Sequence, residues 1–472
     1  MCSFDPVPLT PLDQTLPSTT TVSFLLFFQP EDINSALQVA RSGWEQLVHR
    51  LPLLAGNVAN QSVEGQKKER RFIVPANCPP TVDELVEIRY QPLKLADIDS
   101  REAEGRLVAS LRSSEAQAVS RVVLNVMKNG IVFCLTWSHG VFDGNGASLL
   151  VEMLADICQG NVSHSKTSHT IEVKLRKMIS NLHRPSQDCL RDFSDLLTSG
   201  EEEEENLDPE RSLVNHSFPL SSARLYLLRE SCDTFLRQWS SLNQEKSPPS
   251  LTTNDILTSA VALCVTRSRN KGTQAPQVLT TVDFGMSVDV RKHLGISTGD
   301  GQQYLGNTFV TIAVHADLPP TQKDSGRNRH QLGNGIEMTD FSLITYLASQ
   351  VRHKLSAINR AHVSSLVSYL RETIANRQVF FETWGMTFSS VRHLPLHSLD
   401  FGGKLGRVRD FKDYKSDSDG SVYVQAKRPD FSQKVGEGQV QLLITLNTVD
   451  MNIFMKDPLI AWLQGLPRNS RL

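Results

Sequence analysis

An α/β fold is predicted because strand patterns and helix patterns occur together in both halves of the chain. In the first half, alternating apolar residues over 131–139 are followed by helical spacing of apolar residues over 150–158. In the second half, 309–314 alternates as a strand and 343–358 has helical spacing, before a late alternating strand at 440–446. With 472 residues the chain is long enough for two or more domains with sizeable buried cores.

The strand at 131–139 leads into a loop that holds two polar side chains. A Lys-Asn-Gly sequence at 128–130 precedes it, so an Asn-Gly hairpin turn is expected. Gly-Asn-Gly at 144–146 permits a tight bend before the following helix. His139 and Asp143 are therefore expected in one loop, although a loop histidine bonded only to backbone is an equally ordinary reading of this stretch alone.

Two further helices have recognisable starts. The first is predicted over 33–48, after Pro-Glu-Asp at 30–32 and before Pro52. The second follows the cap-forming residues at 252–255, where Thr-Thr-Asn-Asp precedes an apolar helical pattern.

Composition excludes several classes of protein. Hydrophobic residues make up 39% of the chain and charged residues 21%, as in ordinary soluble proteins. A net charge of −2 argues against a general nucleic-acid binder. The seven cysteines form no C-x-x-C pair and the histidines lack metal-ligand spacing, so reduced thiols are expected, with neither a disulfide framework nor a metal site.

The apolar run at 22–28 is a strand of seven residues, far too short to span a membrane. No secretory signal is expected, and the cytoplasm is the default location. The chain ends in Ser470-Arg471-Leu472, one conservative change from the Ser-Lys-Leu peroxisomal signal. A peroxisomal location is therefore the second reading, and a frayed terminus without function is the alternative.

An acidic run at 201–205 divides the chain, because like charges with little to bury are usually solvated. We predict an N-terminal lobe over 1–190, a crossover linker over 191–215 and a C-terminal lobe over 216–472.

His139-Gly-Val-Phe-Asp143-Gly144 resembles the H-x-x-x-D-G motif of the BAHD acyltransferases. The segment 394–403, LPLHSLDFGG, is similar to the downstream D-F-G segment of that family. Three further matches occur in family order, at 8–13, at 52–56, and at 288–291 followed by 304–307. Together they cover most of the chain.

The resemblance implies two pseudo-symmetric lobes of mixed sheet and helices, with a channel at their interface for acyl-CoA and acceptor. It also implies that about 385–420 crosses back to the N-terminal lobe. No permanently bound cofactor is expected. The implied partners are an acyl-CoA co-substrate, with acetyl-CoA expected, and a small-molecule alcohol or amine, and the protein is expected to be a monomer.

His139 is the candidate catalytic base. An acceptor attacking a thioester carbonyl must lose a proton, and a neutral imidazole with a pKa of about 6.5 is suited to take it. The chain has no G-x-S-x-G nucleophile motif, so transfer through a ternary complex is expected.

Two roles are possible for Asp143. It can orient His139, as in hydrolase triads, or it can pair with Arg291, as the family resemblance implies and as we favour. Gly144, Asp143 and Arg291 are then structural supports of the site, and so is Asp400 of the D-F-G segment. The chain departs from the family here, because Gly403 and Lys404 stand where D-F-G-W-G has Trp and Gly.

Four residues are candidate contacts of the substrate or CoA. Ser389 and Ser390 stand where the family has T-S before a tryptophan, which is Val391 here, so the oxyanion arrangement is open. Lys246 and Thr253 lie where the resemblance places a loop facing CoA. Loop hydroxyls bonded to backbone and a solvated lysine are the alternatives.

The D-F-G-G form is more similar to fungal members of the family, of the trichothecene 3-O-acetyltransferase type, than to plant members. Acylation of a hydroxyl on a fungal-type secondary metabolite is therefore expected. Three alternatives are an N-acyltransferase, a condensation-type domain of peptide synthesis, and a non-catalytic binding protein of the same fold.

Overall fold

The computed structural model describes residues 4–17, 19–64, 67–76, 81–98, 101–111, 117–161, 167–183, 193–199, 212–243, 248–272, 279–296, 303–318, 335–381, 385–415, 418–428 and 438–466. The α-helices in these ranges are α1 (Ile33–Arg50), α2 (Val82–Leu85), α3 (Arg101–Gly105), α4 (Gly144–Cys158), α5 (His169–Ser180), α6 (Ser222–Leu242), α7 (Thr253–Gly272), α8 (Arg291–Leu294), α9 (Met338–Ser356), α10 (Arg360–Ile374), α11 (Thr448–Phe454) and α12 (Pro458–Leu463).

The strands in the same ranges are β1 (Val7–Pro8), β2 (Thr21–Phe28), β3 (Asn57–Gln61), β4 (Arg70–Val74), β5 (Val86–Tyr90), β6 (Gln117–Ala118), β7 (Ser120–Met127), β8 (Gly130–Ser138), β9 (Leu197–Ser199), β10 (Leu213–Ser221), β11 (Thr281–Asp289), β12 (Phe309–Asp317), β13 (Val379–Phe381), β14 (Thr387–Ser390), β15 (Asp410–Lys415), β16 (Ser421–Val424) and β17 (Gln439–Asn447).

Two mixed sheets organise the fold. The five-stranded sheet has the order β15-β2-β8-β7-β5, with only β5 and β7 parallel. The six-stranded sheet has the order β10-β17-β16-β14-β11-β12, and β14 is parallel to both neighbours. Each sheet packs against its own large apolar core. The predicted α/β class is confirmed.

The turn between β7 and β8 differs from the predicted Asn-Gly turn. Met127 pairs with Gly130, so the two turn residues are Lys128 and Asn129, and Gly130 already belongs to β8. Gly130 is required by close packing instead, because a Cβ there would lie 2.3 Å from the carbonyl oxygen of Phe28 on β2.

The Gly-Asn-Gly sequence at 144–146 is the first turn of α4 and not a bend before it. Asp143 is the N-cap residue, and its side chain accepts a hydrogen bond from the backbone N–H of Gly146. This cap satisfies one of the unpaired N–H groups at the start of the helix.

The chain passes between the two sheets more than once. β14 belongs to the six-stranded sheet, whereas β15 pairs with β2 in the five-stranded sheet. Phe401, between these strands, packs in the N-terminal core, 4.9 Å from the ring of Phe28. Chain from the C-terminal half thus completes the N-terminal sheet and core.

Part of the expected crossover at 191–215 is paired. β9 pairs with β13, and β10 pairs with β17 from Leu213 onward. The acidic run at 201–205 and the terminal Ser470-Arg471-Leu472 lie outside the described residues. Within the described ranges, no helix has the length and apolar character needed to cross a membrane.

Candidate active site

A cavity of about 630 Å³ lies between the two sheets and contains most of the predicted site residues. It is bounded by β2 and β8 on one side and by β11, β12 and β14 on the other. Its walls include these residues named from the sequence: His139, Asp143, Gly144, Thr253, Ser389 and Ser390. Apolar side chains supply much of the remaining wall: Val22, Phe24, Trp137, Leu257, Met286, Val288, Phe309, Leu355, Val391, Leu394 and Val424.

His139 lies directly beyond the last residue of β8, at the mouth of the loop before α4. Its backbone is held on both sides: the N–H donates to the carbonyl oxygen of Thr20, and its own carbonyl accepts from Asn307 Nδ2, both at 2.9 Å. The imidazole ring lies 5.9 Å from the ring of Phe309. Thr20, which directly precedes β2, and the 304–307 segment together fix the backbone that carries this imidazole.

Asn307 is itself anchored by the buried carboxylate of Asp13. Asp13 Oδ1 accepts from the backbone N–H and from Nδ2 of Asn307, at 3.0 and 2.9 Å. Its Oδ2 accepts from Arg176 at 2.8 Å, and Arg176 also donates to Glu172. These three charged side chains are at most 1% exposed. The motifs at 8–13 and 304–307 therefore meet around one buried network that supports the backbone of His139.

Asp143 is fully engaged by groups other than an imidazole. Its Oδ1 accepts from the N–H of Gly146 and from Arg291, at 2.9 and 2.8 Å. Its Oδ2 accepts from the second Arg291 nitrogen at 2.9 Å and from the backbone N–H of Thr308 at 3.0 Å. Four hydrogen bonds fill the acceptor positions of a carboxylate. The pairing with Arg291 is thus the arrangement present.

Arg291 is buried and charged. Burial by itself lowers the pKa of a guanidinium, but Asp143 and Asp289 outweigh it and hold the pKa of Arg291 above its ordinary value. The side chain also donates to the carbonyl oxygens of Tyr304 and Gly306. It therefore joins the start of α4 to the 304–307 segment.

The remaining predicted residues are spread over several places. Ser389 and Ser390 lie on β14 at the cavity, and Thr253 is the first residue of α7. Lys246 lies outside the described residues. Asp400 does not line the cavity; its carboxylate accepts from the N–H of Gly402 and from Arg407.

The cavity wall also includes polar residues to which the sequence analysis assigned no role in the site, and three of them are joined by hydrogen bonds: Asn145, Asp289 and His393. Asn145 Oδ1 is 2.6 Å from His393 Nε2, and Asn145 Nδ2 donates to Asp289 Oδ2 at 3.4 Å. Each lies next to, or within two residues of, a motif residue. Their position beside those motifs is the feature of the sequence that could have identified them. Their contact with one another is seen only in the folded chain.

The chain matches a protein-family model and several known proteins over most of its length. The model of the Transferase family matches residues 93–459. Fumigaclavine B O-acetyltransferase of Penicillium roqueforti is 28% identical, and the match covers 98% of this chain and 99% of that enzyme. Communesin N16 acyltransferase of Penicillium expansum is 26% identical, with 98% of each chain covered.

Solved structures share the fold. TRI101 of F. graminearum, complexed with ethyl coenzyme A, superimposes with a TM-score of 0.72 at 16% identity, and 98% of this chain and 99% of that chain are covered. Vinorine synthase superimposes with a TM-score of 0.62 at 13% identity, covering 99% and 94%. The family match spans most of the chain, so the protein belongs to the Transferase family, the BAHD acyltransferases that its motifs resemble, and is an acyltransferase.

Proposed function

We propose that this acyltransferase moves an acetyl group from acetyl-CoA to a hydroxyl group of a small fungal-type secondary metabolite. The observation that carries the proposal is the position of His139 in the wall of a cavity between the two sheets. The names of the relatives support the chemistry, because fumigaclavine B O-acetyltransferases from Penicillium roqueforti and Aspergillus fumigatus match nearly the whole chain. TRI101 of F. graminearum, with the same fold, has been solved with coenzyme A and T-2 mycotoxin.

The proposed reaction needs one base and no covalent acyl-enzyme. The hydroxyl oxygen attacks the thioester carbonyl carbon while neutral His139 takes the hydroxyl proton. The resulting tetrahedral intermediate collapses, the C–S bond breaks, and the imidazolium returns the proton to the CoA thiolate. Such acid–base catalysis contributes about 10²–10⁴ in rate. The products are an acetyl ester and free CoA.

The other predicted residues take supporting roles in this proposal. Asp143 and Arg291 are proposed to hold the loop that carries the base, whereas Gly144 lines the cavity. Ser389, Ser390 and Thr253 are proposed to contact the thioester or the pantetheine arm, since their hydroxyl groups lie at the cavity wall.

An amine acceptor is the second candidate. The communesin N16 acyltransferase favours it, because its name assigns acyl transfer to nitrogen and it covers the same length of chain. The same base would then remove a proton from the attacking nitrogen.

Release of free CoA from acetyl-CoA tests the proposal. The assay compares wild type, His139→Ala and a control variant, His315→Ala, across alcohol and amine acceptors. His315 is exposed on β12 and does not line the cavity, so it removes an imidazole without touching the site. We expect acceptor-dependent release that falls by about 10²–10⁴ only in His139→Ala. Equal rates in wild type and His139→Ala would overturn the role of this histidine.

A further inference from the structure

The two carboxylate oxygens of Asp289 differ in the hydrogen bonds that they accept from the protein. Asp289 Oδ1 accepts from the backbone N–H of Arg291 at 3.0 Å, from its guanidinium at 3.2 Å and from Thr308 Oγ1 at 3.2 Å. Oδ2 accepts only the long 3.4 Å bond from Asn145, among the described residues. The side chain is 35% exposed, against 6% for Asp143, and it lines the cavity. Oδ2 of Asp289 therefore presents an available acceptor to the cavity.

The charges around this oxygen do not cancel. Asp143 and Asp289 share the single guanidinium of Arg291, which leaves one negative charge on the group. Arg392 also lines the cavity. Burial lowers the pKa of its guanidinium, and no carboxylate among the described residues raises that pKa. A guanidinium beside Asp289 would have its pKa raised. The Arg291 guanidinium forms two short bonds with Asp143, at 2.9 and 2.8 Å, and one bond of 3.2 Å with Asp289, so Asp289 is the less compensated carboxylate, and it lies at the cavity.

A second acceptor lies on the same wall. Asn145 Oδ1 can only accept, so His393 Nε2 must carry the hydrogen of their 2.6 Å bond. Partial burial lowers the pKa of His393, which keeps the ring neutral near pH 7. Its Nδ1 is then an acceptor. Asn145 is thus hydrogen-bonded to both Asp289 and His393 at the cavity wall. Asp289 Oδ2 and His393 Nδ1 are both suited to accept a hydrogen bond from a ligand.

We infer that the acceptor molecule carries a protonated amine, which binds to Asp289 Oδ2 and His393 on this wall while its nucleophilic group faces His139. The inference rests on the proposed function, which it narrows to acceptors with a basic nitrogen. An ammonium group supplies both a positive charge for Asp289 and N–H donors for the two acceptors. The apolar side chains of Leu257, Met286 and Phe309 suit the hydrocarbon body of such a molecule better than a hydrated inorganic cation.

Paired probes that differ in one charged atom test this inference. The probes are 4-(2-aminoethyl)phenol, whose ammonium group can donate to both acceptors, and its carbon isostere, 4-propylphenol, titrated by calorimetry at pH 7.5 into enzyme saturated with CoA. The amine is expected to bind at least about tenfold more tightly, because a charge pair at contact distance in a partly exposed site is worth about that factor. Equal binding, tighter binding of the isostere or no binding of either probe overturns the inference.

Variants of Asp289 and His393 test whether these residues cause the preference for the amine probe. Asp289→Asn is expected to remove the tenfold preference, and His393→Leu to reduce it severalfold. Asp283→Asn is the matched control, because it removes one charge from the same strand at an exposed position outside the cavity and should leave the preference unchanged. An unchanged preference in both Asp289→Asn and His393→Leu overturns the inference.

The binding site for the amine and the proposed acyl transfer can be contradicted separately. His139-dependent acetylation of neutral alcohols, with no preference for the amine probe, would overturn the cation site and keep the proposed function. Preferential amine binding by an enzyme that acetylates no acceptor would keep the site and overturn the proposed function.

Discussion

At the scale of single residues, Asp143 combines tasks that are usually separate. It caps α4 through Gly146, pairs with Arg291 and accepts the backbone N–H of Thr308. All of its acceptor positions are occupied by these groups. We therefore expect Asp143 to contribute to the site through the shape of the loop that carries His139.

Replacing Asp143 by alanine should destabilise the fold by about 3–5 kcal/mol, because the buried guanidinium of Arg291 loses its main partner. Urea unfolding of wild type and variant measures this difference. The double variant Asp143→Ala, Arg291→Met should recover part of the loss, since it removes the unpaired charge as well. Full stability of Asp143→Ala, combined with a changed pH profile of kcat, would instead favour an orienting contact with His139.

At the scale of secondary-structure elements, α4 starts in contact with the 304–307 segment. A Cβ on Gly146 would lie 1.8 Å from the carbonyl oxygen of Leu305, whereas a Cβ on Gly144 would meet only Val391 at 3.6 Å. Because backbone cannot move aside as a flexible side chain can, only Gly146 is required by packing. The two glycines look alike in the sequence and differ in the fold.

Gly146→Ala should destabilise the protein by at least about 1–3 kcal/mol, the usual range for overpacking. Gly144→Ala is the matched control and should change the free energy of unfolding by less than about 1 kcal/mol, because its contact is of ordinary length. Thermal and urea unfolding of the two variants give the comparison. Equal destabilisation by both substitutions would contradict the packing argument.

At the scale of the whole molecule, chain from the C-terminal half completes the N-terminal sheet and its core. β15 is an edge strand of that sheet, and Phe401 is fully buried against Phe28. Asp400, Phe401 and Gly402 lie in this connection and do not line the cavity. We therefore expect Phe401 to act on the stability of the N-terminal sheet and its core.

Phe401→Ala should cost about 3–5 kcal/mol of folding free energy, as expected for a large aromatic side chain removed from a packed core. The KM for acetyl-CoA should change little in the protein that remains folded, because Phe401 does not line the cavity. Ser398→Ala, an exposed position in the same segment, is the control and should be nearly neutral. A raised KM with unchanged stability would give the segment a binding role instead.

The α/β class, the family and the loop that contains His139 and Asp143 were predictable from the sequence, because they depend on local periodicity and on short motifs. Apolar spacing predicted α1 and β8, and cap-forming residues predicted the start of α7. The turn predicted at Gly130 and the bend predicted at 144–146 were wrong. Local turn propensity does not predict a close contact with the backbone of a distant segment.

Which polar groups contact one another became visible only in the folded chain. Asp13 and Asn307 are 294 residues apart in the chain and meet beneath His139. Asn145 and His393, 248 residues apart, hold one wall of the cavity together with Asp289. Contacts of this kind depend on how the two sheets pack, and that packing is fixed by the summed burial of many apolar side chains. No short stretch of sequence records it.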